Sequence, residues 1–245
     1  MPDGRSEPIP PHIPSAMALY DHPGAYVASA VCSCLLEKQR QAKLAKLMDG
    51  GGVPRLYRDF TFASWDTQTS ETLRGKEEAR YYAELFASGR LEVNGVQRFG
   101  LVLSGAVGRG KTGLASCILM ERARHNETVL WVDFSKFIRK VRDTYRDGSF
   151  TSYEDIVGAA ATVPFLLIDD MGDMNATKAI SDDLRRNVYD VISERYNELR
   201  PTLITTNLSI DQFRDTFGER ISDRILHLYH WQEIGGANLR FDPGP

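Results

Sequence analysis

The sequence predicts an α/β fold, a buried parallel sheet covered by helices on both faces. Three observations carry this expectation. Four-residue apolar runs recur along the chain: Gly100-Leu101-Val102-Leu103, Val129-Leu130-Trp131-Val132, Phe165-Leu166-Leu167-Ile168 and Leu203-Ile204-Thr205-Thr206. Segments of helix-forming composition separate them. A glycine-rich loop lies between the first run and the helix after it. Continuous apolar strands, unlike alternating ones, belong to a sheet buried on both faces.

The elements follow in order. Residues 1–30 hold six prolines (2, 8, 10, 11, 14 and 23) and little periodic apolar pattern, and read as a loosely ordered arm. Residues 35–48 are good helix formers, stopped by Gly50-Gly51-Gly52 and Pro54. That helix has four basic residues (Lys38, Arg40, Lys43, Lys46) against Glu37, which suits a solvated face or a partner-docking one. Residues 1–52 are therefore expected to form an N-terminal arm with a basic helix, and 53–245 the α/β domain. Within the domain, helices are expected at Glu71–Ser88, from Lys111 to about His125, twice before Phe165, and near 180–199.

Composition narrows the function. Thirty basic against 33 acidic residues give a net charge of −3, which excludes a histone-like polycation but not a local basic patch. No apolar run approaches the ~20 residues of a membrane span, and the N-terminus lacks the apolar stretch of a signal peptide. Three cysteines in 245 residues make no disulfide framework, so a cytoplasmic location is expected. Cys32 and Cys34, with His12 and His22 upstream, have poor spacing for tetrahedral zinc.

After the first apolar run comes Gly105-Ala106-Val107-Gly108-Arg109-Gly110-Lys111-Thr112, followed by Gly113. This is Gly-x-x-x-x-Gly-Lys-Thr, the phosphate-binding P-loop. Its glycines let backbone N–H groups converge on phosphate oxygens, and the helix N-terminus behind adds a positive dipole. Lys111 supplies charge to the β- and γ-phosphates, and Thr112 a hydroxyl to Mg²⁺. Asp169, 57 residues past Thr112, ends an apolar strand and is the second expected Mg²⁺ ligand. Asp170 points elsewhere and suits orientation of a water, although many related ATPases carry Glu there. ATP and Mg²⁺ are thus the expected cofactors.

Together the P-loop, Leu166-Leu167-Ile168-Asp169-Asp170-Met171-Gly172-Asp173, the stretch Arg200–Ser209, Gly218–Leu226 and Gly235–Arg240 resemble the AAA+ ATPases. Within them the chain is similar to the bacterial replicative helicase loaders of DnaC and DnaI type, over about residues 53–240. The resemblance implies a three-layer sandwich with most of the α-helical lid absent, and five residues follow Arg240 here. It implies an ATP hydrolase that oligomerises on binding ATP and loads a ring-shaped hexameric helicase onto single-stranded DNA. It makes Asn207 the residue sensing the γ-phosphate, Arg240 a second sensor, and Arg224 the finger reaching a neighbour's nucleotide, with Arg220 the second candidate. Arg220 and Arg224 share a helix face, with Ile221, Ile225 and Leu228 beside it as anchors. Tyr57, Phe60 and Phe62 lie in the family's adenine-side segment and serve equally well as packing residues.

Residues 134–146 read as an amphipathic helix, with Phe134, Phe137, Ile138, Val141 and Tyr145 on one face. Lys136, Arg139, Lys140, Arg142 and Arg146 occupy the rest, five positive charges against Asp143. They suit a DNA backbone, in the position where related loaders face their pore. An IstB-type ATPase assisting a transposase shares fold, site and DNA binding, and is the nearest alternative. A small-molecule kinase needs a substrate pocket and usually a basic lid, and nothing here resembles one. A nucleotide-dependent adaptor without hydrolysis stays open through Asp170.

Overall fold

Each of the apolar runs folds as a strand whose two faces are both covered. The computed structural model describes residues 53–65, 73–145, 151–172 and 181–235. The expectations for residues 1–52, Arg146, Asp173 and Arg240 lie outside them.

A one-turn 3₁₀ helix at Arg55–Tyr57 precedes α1 (Leu73–Ala87). A two-strand hairpin follows, β1 (Glu92–Val93) with β2 (Val96–Gln97). Then come β3 (Gly100–Ser104), α2 (Lys111–Arg124), β4 (Val129–Asp133), α3 (Phe134–Asp143), α4 (Tyr153–Thr162) and β5 (Phe165–Asp169). The last part is α5 (Asp182–Asn197), β6 (Thr202–Thr206), α6 (Ile210–Phe217), α7 (Glu219–Leu228) and β7 (Tyr229–Glu233). Side chains close four of these helices at their N-termini, Ser181 on α5 accepting from the Leu184 amide at 3.3 Å. Ser152 and Ser209 form capping boxes with Asp155 and Gln212, and Asp133 accepts from the Lys136 amide at 2.9 Å.

The main sheet has the order β4-β5-β6-β3-β7, and every pairing in it is parallel. The strand β6 is thus inserted between the P-loop strand β3 and the carboxylate strand β5. All residues of β3, β5 and β6 are buried. Successive residues then serve opposite layers. Leu101, Leu103, Trp131, Phe165, Leu167 and Leu203 pack with α1 and α2. Val102, Leu130, Val132, Leu166, Ile168 and Ile204 pack with α3 to α7. The result is a three-layer sandwich.

Two parts of the sheet system have no counterpart in the sequence expectation. The hairpin strands are two residues each, too short to show alternation; Asn94 (φ 53°) and Gly95 (φ 75°) make the tight turn between them. Strand β7 follows α7 with no intervening loop, since Tyr229 ends the helix in extended geometry. Its ring lies over Gly100, where any Cβ would collide with it.

The helix α3 ends earlier than periodicity predicts. Phe134, Phe137, Ile138 and Val141 are buried as expected, but the helix stops at Asp143 and Tyr145 follows in a turn. Tyr145 is 63% exposed, so its predicted place on the apolar face is corrected. Its position i+11 would extend that face only if the helix continued. Among the described residues no helix is long and apolar enough to cross a membrane.

Candidate nucleotide site

The P-loop joins β3 to α2 with Gly105, Gly108 and Gly110 all at positive φ (135°, 82° and 86°). Gly105 is the most constrained. A Cβ there would sit 2.5 Å from the Ile234 carbonyl oxygen, just past β7. The Ile234 amide in turn donates to Ser104 O at 2.8 Å, so the end of β7 lies across the base of the loop. Lys111 is the first residue of α2, and its side chain is not free-standing. It is 5% exposed, with Nζ donating to Gly105 O (2.8 Å) and Ala106 O (2.9 Å). The cation is thereby held inside the loop that would wrap the phosphates. Ala106 and Val107 are exposed, Gly108, Arg109 and Gly110 half-buried, and Gly113 buried against Phe60.

The two expected Mg²⁺ ligands meet. Thr112 Oγ1 donates to Asp169 Oδ1 at 3.1 Å. A hydroxyl and a carboxylate are hard oxygen ligands of the kind Mg²⁺ selects. Thr205, on the inserted strand β6, also donates to Asp169 Oδ1 (2.6 Å) and accepts the Asp170 amide at 2.9 Å. Burial pushes the Asp169 carboxyl up to about 6; Asp170 and Asp133 add to the rise, and the bonds from Thr205 and Thr112 oppose it. A divalent cation beside this carboxylate would offset the cost of burying its charge. Asp170 leaves the strand in left-handed geometry (φ 54°) and is exposed, whereas Asp169 is buried. Asn207 is exposed one residue beyond β6.

Sequence reasoning missed two supports. Trp65 is 3% exposed, and its indole N–H donates to Gly110 O at 3.2 Å, bracing the P-loop from 45 residues away. Thr205 stands two residues before Asn207, the polar residue that the family pattern singles out. The signal available was a hydroxyl placed to face a carboxylate strand. Tyr57, Phe60 and Phe62 pack here: Tyr57 stacks on Trp131 (5.9 Å, 16°) and meets Phe60 edge-on at 5.3 Å.

A family model described as IstB-like ATP binding protein matches residues 94–242. The chain belongs to this family. The IstB-like match spans the P-loop, the carboxylate strand and the inserted strand. The chain is 25% identical to the replicative helicase loader DnaC of Escherichia coli (strain K12) over 197 residues, 80% of this chain and 75% of that protein. Its fold matches the crystal structure of DnaI with TM-score 0.59 and 26% identity, covering 76% of this chain and 94% of that one. A DnaC helicase loader structure gives TM-score 0.59 at 22% identity, covering 74% and 100%. The sandwich of this IstB-like protein is thus the AAA+ fold of the DnaC and DnaI structures.

Elsewhere in this IstB-like chain, the basic face of α3 is formed as expected. Lys136, Arg139 and Arg142 are exposed and Lys140 half-buried; Lys136 pairs with its cap Asp133 at 3.7 Å. On α7, Ile221 and Ile225 are buried and Leu228 half-buried, which anchors the helix. Arg220 is exposed. Arg224 is half-buried and engages α5 rather than Glu219 or Asp223: Nη2 donates to Tyr189 OH at 3.0 Å and Nη1 to Arg220 O at 2.9 Å.

Proposed function

We propose that this protein is an ATP-driven loader that binds a ring-shaped hexameric replicative helicase and helps place it on single-stranded DNA. The observation that carries the reading is the likeness to E. coli DnaC across 80% of the chain, supported by a P-loop whose Thr112 hydroxyl donates to the Asp169 carboxylate. In this reading the loop from Gly105 to Gly113 and Lys111 hold the phosphates, while Thr112 and Asp169 hold Mg²⁺. When bound, Mg²⁺ would supply charge neutralisation to the phosphates. Asp170 accepts a hydrogen bond from the attacking water and aims its oxygen at the γ-phosphorus. Asn207 senses the γ-phosphate, and Arg240 reaches the nucleotide from beyond β7. Copies assemble on binding ATP, so that Arg224, with Arg220 beside it, faces a neighbour's site. The α3 residues Lys136, Arg139, Lys140, Arg142 and the following Arg146 contact DNA.

The experiment mixes the full-length protein with the host's helicase hexamer and a circular single strand, with and without ATP. Helicase retained on the circle only when protein and nucleotide are present is the expected result. The family model's own name favours a second reading, an ATPase assisting a transposase. Recovery of a transposase, and no helicase, on the tagged protein would decide for that reading. Removing residues 1–52 is expected to abolish helicase capture and preserve ATP binding; retained capture would put the partner surface on the ATPase domain.

Two further outcomes separate the residue roles. Asp170→Asn is expected to keep ATP affinity and slow turnover by about 100-fold, since the metal-binding pair survives while the water loses its acceptor. Equal loss of binding would mean that Asp170 belongs to the ligand set. Replacing Arg139, Lys140 and Arg142 together by Ala should flatten the plot of log affinity against log salt by about 2, because each phosphate neutralised on a single strand releases roughly 0.7 counterions. An unchanged slope would return α3 to a solvated face.

A further inference from the structure

The surroundings of Arg224 go beyond the finger role just proposed. Tyr189 and Tyr196 lie seven residues apart on α5, two helical turns, and so present one face toward α7. The Arg224 guanidinium carbon lies 4.8 Å from the Tyr189 ring centroid and 5.7 Å from that of Tyr196. Both lie within cation–π range. The Tyr189 hydroxyl accepts from Nη2 at 3.0 Å, and the Arg220 carbonyl, one turn back, accepts from Nη1 at 2.9 Å. Tyr196 is itself steadied, its hydroxyl 2.7 Å from His227 Nδ1, while Arg98 donates to His227 O at 2.6 Å.

A guanidinium carries five N–H donors in a rigid plane. Two of them are used in this cradle, one N–H on each terminal nitrogen is left over, and Nε is buried without a hydrogen-bond partner. An arginine on a free stem would have to give up its rotamer freedom each time it met an anion, and this one has given it up in the folded protomer. Arg220 has no such enclosure and is exposed.

We propose that Tyr189 and Tyr196 form a cradle that presets the Arg224 guanidinium for a nucleotide phosphate bound by a neighbouring copy of this chain. The inference rests on the reading of Arg224 as a residue acting across an interface. Tyr189 is then a positioning residue, acting through Arg224. The opposite arrangement, a cradle that stows the arginine until assembly pulls it free, predicts the opposite sign.

The test measures turnover by full-length protein assembled with ATP. Tyr189→Phe keeps the ring and removes the hydroxyl bond. It is expected to slow turnover about tenfold, the worth of a hydrogen bond to a charged group, with ATP affinity unchanged. Arg224→Ala is expected to slow it further. The deciding readout is a mixed assembly, co-purified through two different tags, of Tyr189→Phe with Asp170→Asn protomers. Their shared interfaces join an intact ATP site to an intact Arg224 cradle, so turnover per competent site should recover toward wild type. Recovery would show that Tyr189 acts across the interface, which a damaged fold in its own protomer would not allow. Unchanged or faster turnover by Tyr189→Phe, with Arg224→Ala slow, overturns the cradle and leaves the finger standing. Slow turnover that mixing does not rescue also overturns it. Normal turnover by assembled Arg224→Ala overturns both.

Discussion

Lys111→Ala is expected to lower ATP affinity about 100-fold, the loss of a charge-assisted interaction worth ~3 kcal/mol, in a protein that remains folded. The ammonium is the positive side chain enclosed by the loop, and Gly105 O and Ala106 O fix its position. The backbone amides of the loop carry only partial charges and do not replace it, and Arg109 lies on the loop itself, outside the pair of carbonyls that fixes Lys111. The cost to folding is smaller. Ala is the best helix former for the first turn of α2, and water reaches the exposed Ala106, so about 1 kcal/mol is at stake. Nucleotide titration beside a thermal melt checks both halves. ATP affinity equal to wild type in a folded variant would remove the loop from the binding site.

The largest effect on stability is expected at Arg195. This side chain is 1% exposed and makes six hydrogen bonds: to Thr202 Oγ1 (2.7 Å) and to the carbonyls of Ala160 (3.0 Å), Ala161 (3.3 Å), Val163 (2.7 Å), Pro164 (3.3 Å) and Pro201 (2.5 Å). It thereby closes the C-terminus of α4, whose last carbonyls have no partner within the helix, and ties it to the starts of β5 and β6. Burial pulls its pKa down to about 10, which leaves it charged at neutral pH. Arg195→Met fills similar volume but removes all six bonds; Ala161 O keeps Arg200 Nη1 (3.1 Å) and Pro201 O keeps the Leu166 amide (3.3 Å), while the other acceptors lose this donor. We expect a loss of about 3–5 kcal/mol, lowering the melting temperature by roughly 10 °C. Arg195→Lys should recover only part, since three donors on a point charge cannot serve acceptors spread around a planar fork. A melting temperature within a degree or two of wild type for Arg195→Met would mean that water substitutes for the guanidinium.

The P-loop, the strand ending at Asp169 and the four apolar strands were legible because each is a local pattern. Gly-x-x-x-x-Gly-Lys-Thr needs its residues adjacent so that consecutive amides turn toward one anion, and a doubly covered strand needs an unbroken apolar run. Helix α3 shows where local reading stops. Its apolar period continues on paper to Tyr145, yet the chain turns after Asp143 and leaves that side chain largely exposed. Nor does anything local in Ser193-Glu194-Arg195-Tyr196-Asn197 distinguish the fully buried arginine from its less buried neighbours.

The sequence by itself determined that a P-loop, a carboxylate at the end of an apolar strand and a parallel sheet would be present. Only the tertiary structure decided what holds them in place. The Trp65 brace on Gly110, the Thr205 bond to Asp169, the Arg195 tie and the tyrosine cradle around Arg224 each join segments that the fold brings together. A hydrogen bond has a reach of ~3 Å, so its partners are set by which strands lie side by side. That order, with β6 between β3 and β5, comes from packing the whole sheet and is written in no single segment.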